Sequence, residues 1–117
     1  MIEITSEPID AGKITQAVGH AEDGAIVTFL GVVRDHDSGR SVRYLEYEAY
    51  SEMAVALMKG IATEISDRWS ITHVAMVHRI GRLEIGDIAV AIAVGSPHRL
   101  EAFEACHYAI DRVKETV

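Results

Sequence analysis

The sequence predicts an α+β fold: one domain spanning residues 1–117, with helices packed on a mixed sheet. Three observations lead there. The chain has 117 residues, which is one domain's worth. Hydrophobic residues make up 49% and charged residues 25%, the ordinary globular mixture rather than a disordered or fibrous one. The predicted elements run β-α-β-β-α-β-β-α, neither strictly alternating nor segregated into strands and helices. No repeat, linker or low-complexity tract interrupts them.

Ile2 to Thr5 reads as a short edge strand, and Asp10 as the N-cap of a helix through Ile14, Ala17 and Val18 that exits between Gly19 and Gly24. Gly24 to Arg34 is β-branched and too apolar for a solvent-facing hairpin, which predicts a mostly buried strand with Gly31 as a candidate bulge. Residues 35–41 have loop composition, and Val42 to Tyr50 resumes as a strand. From Ser51, a plausible N-cap, the period changes. Ala54, Leu57, Met58, Ile61, Ala62, Ile65 and Trp69 recur at the spacing of an amphipathic helix. Thr72 to Ile80 is a strand, Gly81 to Asp87 a loop, and Ile88 to Val94 an unbroken apolar strand expected inside the sheet. Ser96-Pro97 reads as an N-cap and first helical position, opening a helix whose predicted buried stripe is Phe103, Cys106, Ile110 and Val113.

Composition narrows the function. Eleven Lys and Arg against eighteen Asp and Glu give a net charge of -7, the wrong sign for a protein that neutralises many nucleic-acid phosphates. The lone cysteine, Cys106, allows no internal disulfide and no zinc motif, so a reducing interior is expected. The acidic start lacks the basic region of an export signal, and the longest apolar run falls far short of a membrane span. The expected location is the cytoplasm, with no nucleic-acid or membrane partner.

Chemistry concentrates at Ser96-Pro97-His98-Arg99. A helix start offers unpaired amides and the positive end of the dipole, and here a guanidinium and an imidazole join them. Arg99 can grip phosphate or carboxylate with two donors, and His98 can move protons near neutrality. The plain alternative is a solvated helix start. Arg34 is the first charge after a long apolar run and could aim a guanidinium into a cleft, or simply mark where the strand leaves the core. Asp35-His36-Asp37 cannot easily converge on one ion and reads as a solvated loop, so no metal is expected. Lys114 lies fifteen residues after Arg99, about 22 Å of helical rise. One residue cannot serve both ends, so a shared ligand would have to be long or a second subunit involved. Lys114 could equally be a favourable cation near a helix C-terminus. Cys106 falls on the apolar stripe and reads as core. His73, His78 and Arg79 read as edge or interface residues, and His20 and His107 carry no pattern. None of these five is assigned chemistry. Lys13, Arg40, Arg43, Arg68 and Arg82 read as solvated surface.

Three separated stretches, residues 24–34, 78–87 and 96–105, together resemble the large, catalytic subunit of molybdopterin synthase, in register through nearly the whole chain. The resemblance implies an α/β hammerhead fold with an added small antiparallel sheet. It implies a sulfurtransferase of molybdenum cofactor biosynthesis that converts cyclic pyranopterin monophosphate to the dithiolene molybdopterin, with no cofactor of its own. It also implies a partner: a small ubiquitin-like sulfur carrier whose C-terminal Gly-Gly thiocarboxylate threads into the pocket. Two large subunits would form a homodimer at the centre of a heterotetramer. By position, the family's catalytic and substrate-binding residues fall on Arg34, His98, Arg99 and Lys114. Arg34 and Arg99 would hold phosphate, His98 would shuttle protons, and Lys114 would act near the thiocarboxylate.

Two departures stand out. The sequence stops at Val117, just before a segment like Pro-Ile-Trp-Lys-Lys-Glu that supplies the family with another lysine, and a tail beyond Val117 is expected. Val32 and Val33 stand where some relatives carry a lysine. The alternative reading is a non-catalytic relative that binds the sulfur carrier or a pterin phosphate. Phosphate-ester hydrolysis through His98 would need a nucleophile or metal set that the sequence does not offer.

Overall fold

The computed structural model describes residues 1–37, 40, 41, 44–47 and 51–116, and of residue 37 and those between 40 and 47 only the backbone. The elements are β1 (Ile2–Thr5), α1 (Ala11–Val18), β2 (Ala25–Val32), β3 (His36–Asp37), β4 (Arg40–Ser41), β5 (Tyr44–Tyr47), α2 (Ser51–Trp69), β6 (His73–Arg79), β7 (Gly81–Glu84), β8 (Ile88–Ser96) and α3 (Arg99–Thr116). The main sheet has the order β1-β6-β8-β2; β1 lies parallel to β6, and the other pairs are antiparallel. This is the mixed sheet with packed helices that the element order implied.

Alternation along the two central strands divides the core. Val90, Ile92 and Val94 of β8 and Val74 and Met76 of β6 face α2 and α3, where they meet Met58, Ile61, Ile65, Cys106, Ile110 and Val113. The intervening Ala91, Ala93, Ala75 and Val77 face α1 and meet Ile14 and Val18. Large side chains thus fill the two-helix face, while alanines let the eight-residue α1 lie close on the other. Asp10 caps α1 as expected, its Oδ1 accepting from the Lys13 amide at 3.2 Å. The bulge falls where glycine allowed it, with a register shift between Gly31 and Val32.

Several expectations are corrected. The strand through Ala25–Val32 is not mostly buried: β2 is an edge of the sheet, and Ile26, Leu30 and Val32 are exposed. Residues 81–87 are not all loop. Gly81–Glu84 forms β7 against β5, because Gly81 at φ +91° turns the chain directly out of β6 and Leu83 is fully buried. The supposed loop 35–41 contains β3 paired with β4, and residues 38 and 39 lie outside the described set. Of the strand expected over 42–50, Tyr44–Tyr47 is a strand, while 42, 43 and 48–50 lie outside the described residues. β6 lies inside the sheet, so His78 and Arg79 are not edge residues. Finally, Phe103 is 60% exposed and Leu57 is exposed as well. The buried stripe of α3 keeps the expected Cys106, Ile110 and Val113 and is completed by Ala102, Ala105 and Ala109 rather than Phe103, the alanines again allowing close approach to the sheet.

Candidate active site

The helix start singled out in the sequence is built by strand β8. Ser96 is its last residue, buried and paired with Ala25, rather than the cap of α3. The cap position belongs to His98, whose carbonyl accepts the first helical hydrogen bond, from Ala102 N at 3.3 Å. The Ser96 hydroxyl oxygen accepts from the His98 amide at 3.4 Å. Beneath this turn the Gly24 amide donates to the Ser96 carbonyl at 3.0 Å, and a Cβ on Gly24 would stand 2.4 Å from the Pro97 carbonyl oxygen. Only glycine lets the start of β2 pass so close.

Pro97, His98, Arg99 and Leu100 are exposed at this corner and, with Gly24 and Glu101, line an open cavity of about 400 Å³. Neither the His98 ring nor the Arg99 guanidinium has a hydrogen-bonding or ion-pair partner among the described residues. Both are free to meet a ligand beside the first amides of α3. A second cavity of about 340 Å³ also borders His98; it reaches Asp23, His73 and Glu101 and, among the described residues, touches no Lys or Arg. One corner therefore offers the Arg99 guanidinium in one cavity and the Glu22 and Asp23 carboxylates in the other, with His98 and Glu101 lining both.

Arg34 sits at the opposite end of the sheet. Because β2 runs antiparallel to β8, pairing Ala25 with Ser96 and Val32 with Ile88, Arg34 leaves the strand roughly 30 Å from the helix start. Its backbone is anchored by Val33, whose amide donates to Asp87 O at 2.9 Å and whose carbonyl accepts from Gly86 N at 2.8 Å. Val33 itself is buried with Leu83 and Ala89. Helix α3 returns along the sheet, passing Cys106 beside Ile92 and Ile110 and Val113 beside the core, so the exposed Lys114 lies toward the Arg34 end. The structure thus brings His98 and Arg99 together and separates them from Arg34 and Lys114; the helical rise foretold only the gap to Lys114.

Near Lys114, helices α2 and α3 are clamped by polar groups. Arg112 grips Glu64 through Nε at 2.9 Å and Nη2 at 3.2 Å, the Tyr108 hydroxyl donates to the same carboxylate, and Arg68 lies over the Tyr108 ring. Hydrogen bonds from Arg112 and Tyr108 hold the Glu64 carboxyl down at about 2. Cys106 is core, as read: burial pushes its thiol up to about 11, which leaves no thiolate for nucleophilic attack near neutrality.

Sequence reasoning missed His73. Its Nδ1 hydrogen-bonds Asp23 Oδ2 at 2.9 Å across 50 residues, and its ring stacks on His20 with centroids 3.5 Å apart. The one visible signal was the polar tetrapeptide His20-Ala21-Glu22-Asp23 held between Gly19 and Gly24. Arg79, also passed over, pairs with Asp87 at 3.4 Å and braces the turn that anchors Val33.

With this geometry in view, comparison with known proteins decides the family. The sequence pattern of the family described as "MoaE protein" matches residues 4–116. The chain belongs to that family. It is 48% identical over 114 residues to the molybdopterin synthase catalytic subunit of Halalkalibacterium halodurans, covering 97% of this chain and 73% of that protein. It is 49% identical over 115 residues to the same subunit of Bacillus subtilis, covering 98% and 73%. Among solved structures, molybdopterin synthase from Staphylococcus aureus superposes with a TM-score of 0.95 at 46% identity, over 99% of this chain and 85% of that one. A complex of subunits 1 and 2 of molybdopterin-converting factor from Helicobacter pylori shares the fold of this MoaE-family chain, at a TM-score of 0.76 and 19% identity.

Proposed function

We propose that this chain is an enzyme that transfers sulfur in molybdenum cofactor biosynthesis, converting cyclic pyranopterin monophosphate to molybdopterin with sulfur from a thiocarboxylated small partner. The observation that carries the reading is the open His98-Arg99 corner at the start of α3, in a chain nearly half identical to molybdopterin synthase catalytic subunits. Arg99 and the helix amides hold the substrate's phosphate. His98, at the cap, gives and takes protons as oxygen substituents leave the pterin side chain. Lys114 and Arg34 receive the carrier's thiocarboxylate and the anionic intermediates.

These four residues work together across two copies. The exposed edge of β2 carries Ile26, Leu30 and Val32, and the first turns of α3 carry exposed Leu100 and Phe103, an apolar surface suited to a second copy. A two-fold axis beside that edge sets the Arg34 and Lys114 end of one copy against the His98-Arg99 end of the other. The cytoplasm is the fitting location for a chain with one buried free thiol and, among its described residues, no helix long and apolar enough to cross a membrane.

The test is conversion of the pterin precursor by the full-length protein with thiocarboxylated carrier. Arg99→Ala should abolish conversion while still binding the carrier. A variant that converts precursor as well as the wild type would refute the assignment, and a wild type that binds the carrier without converting anything would favour a non-catalytic relative.

A further inference from the structure

Behind the α3 corner, the loop between α1 and β2 folds onto the start of β6 and gathers His20, Glu22, Asp23 and His73. One ligand atom from each of His20, Asp23 and His73 lies within 4.8 Å of the others. The hydrogen bonds already made there engage Nδ1 of both rings and leave Nε2 as the atom open to a metal. His20 Nδ1 faces the Val18 carbonyl at 3.0 Å, and a carbonyl can only accept, so the proton sits on Nδ1 and the lone pair on Nε2. His73 Nδ1 donates to the Asp23 carboxylate at 2.9 Å, which likewise leaves its Nε2 as the basic atom. Glu22 Oε1 stands 3.5 Å from His73 Nε2, close to the roughly 3.3 Å edge of a tetrahedron with bonds near 2.05 Å.

A second observation points to a cation. The Asp23 side chain is only 3% exposed; its Oδ2 takes hydrogen bonds from the His73 ring and the His20 amide, while its Oδ1 accepts none. Gly95 makes room for this carboxylate, since a Cβ there would stand 2.6 Å from Asp23 Oδ2 and 2.7 Å from the Val18 carbonyl. A buried carboxylate oxygen without a partner costs stability unless positive charge stands nearby. Among the described residues, the adjoining cavity of about 340 Å³ offers no Lys or Arg to supply it.

We propose that His20, Glu22 and His73 bind a divalent transition-metal ion, zinc foremost, with Asp23 orienting His73 from behind. Two imidazoles and one carboxylate suit zinc or cobalt and disfavour magnesium and calcium, which take oxygen donors. Binding draws the two stacked rings from face-to-face contact into a shared coordination sphere. His20, with its side chain 47% exposed, has the freedom to make that swing.

The proposal is tested on the full-length protein without an affinity tag, titrated with cobalt(II) and with zinc and followed by visible absorption, calorimetry and thermal unfolding. One ion should bind per chain, with the absorption of tetrahedral cobalt and a rise in Tm. His20→Gln and His73→Gln should each weaken binding at least tenfold and remove the Tm rise, and Asp23→Asn should weaken it about 10- to 100-fold. His20→Gln alters an exposed side chain and should fold normally, which keeps the test open if His73→Gln or Asp23→Asn does not fold. His107→Gln, on the surface of α3, should bind like the wild type. Absence of saturable binding, binding unchanged in His20→Gln, or binding lost in His107→Gln would each overturn the proposal.

Discussion

At His98 two roles meet in one residue: its backbone carbonyl caps α3 and its side chain is offered to the cavity. Replacing the side chain leaves the carbonyl in place, so His98→Gln should keep the fold and Tm while lowering the turnover number about 10²- to 10⁴-fold, the contribution of a positioned proton shuttle. Unchanged turnover would remove His98 from the chemistry. Cys106 is the opposite case. Cys106→Ala should lower stability by about 1 kcal/mol through lost packing and leave turnover of the folded protein intact, because the proposed sulfur donor is the carrier and not this thiol. Chemical denaturation and a single-turnover assay separate the two effects. The His98-Arg99 pair was legible because a helix start after a buried strand advertises itself in sequence. The Asp23 and His73 contact was not, since it joins residues 50 apart that only the sheet brings together.

At the scale of elements, the sequence placed Cys106, Ile110 and Val113 correctly on the inner face of α3 but misjudged Phe103. Phe103 drew the predicted stripe toward itself, whereas the helix buries the alanines 102, 105 and 109, whose small side chains permit close contact with β8 and β2. Apolarity alone could not reveal this, because close packing rewards smallness as much as greasiness. The strand β7 was hidden by its charged residues; a single fully buried Leu83 and the turn at Gly81 define it. The turn at Gly24 carries the strictest local demand. Gly24→Ala should cost about 1–3 kcal/mol, because the new Cβ meets backbone rather than a yielding side chain. Thermal unfolding measures it, and a neutral result would mean that the corner flexes. The contact between α2 and α3 makes a prediction about acid. Glu64 has its carboxyl lowered from 4.5 to about 2, so its pairing with Arg112 and Tyr108 contributes fully above pH 4.5 and is lost as pH falls toward 2. Urea denaturation from pH 2 to 5 should show stability rising with pH, with a shallower rise in Glu64→Gln. Identical slopes would show that this clamp does not matter to acid stability.

Across the whole molecule, the decisive feature is that the fold spends its length separating the four proposed site residues. The sheet and α3 hold Arg34 and Lys114 at one end and His98 and Arg99 at the other. The sequence foretold the gap between Arg99 and Lys114 from helical rise, but not that Arg34 joins the Lys114 end, which depends on the antiparallel register of β2 and β8. The exposed edge of β2 offers the means of closing the gap with a second copy. Leu30→Glu, a charge placed on that edge, should shift the protein to monomers in sedimentation and abolish conversion with it. The most direct test mixes two inactive proteins. Arg99→Ala and Lys114→Ala are unfolded together, refolded and assayed for conversion of the pterin precursor with thiocarboxylated carrier. If each site draws Arg99 from one copy and Lys114 from the other, half the dimers carry one intact site, and the mixture should recover about a quarter of wild-type activity. A mixture as inactive as its two components would contradict the shared site.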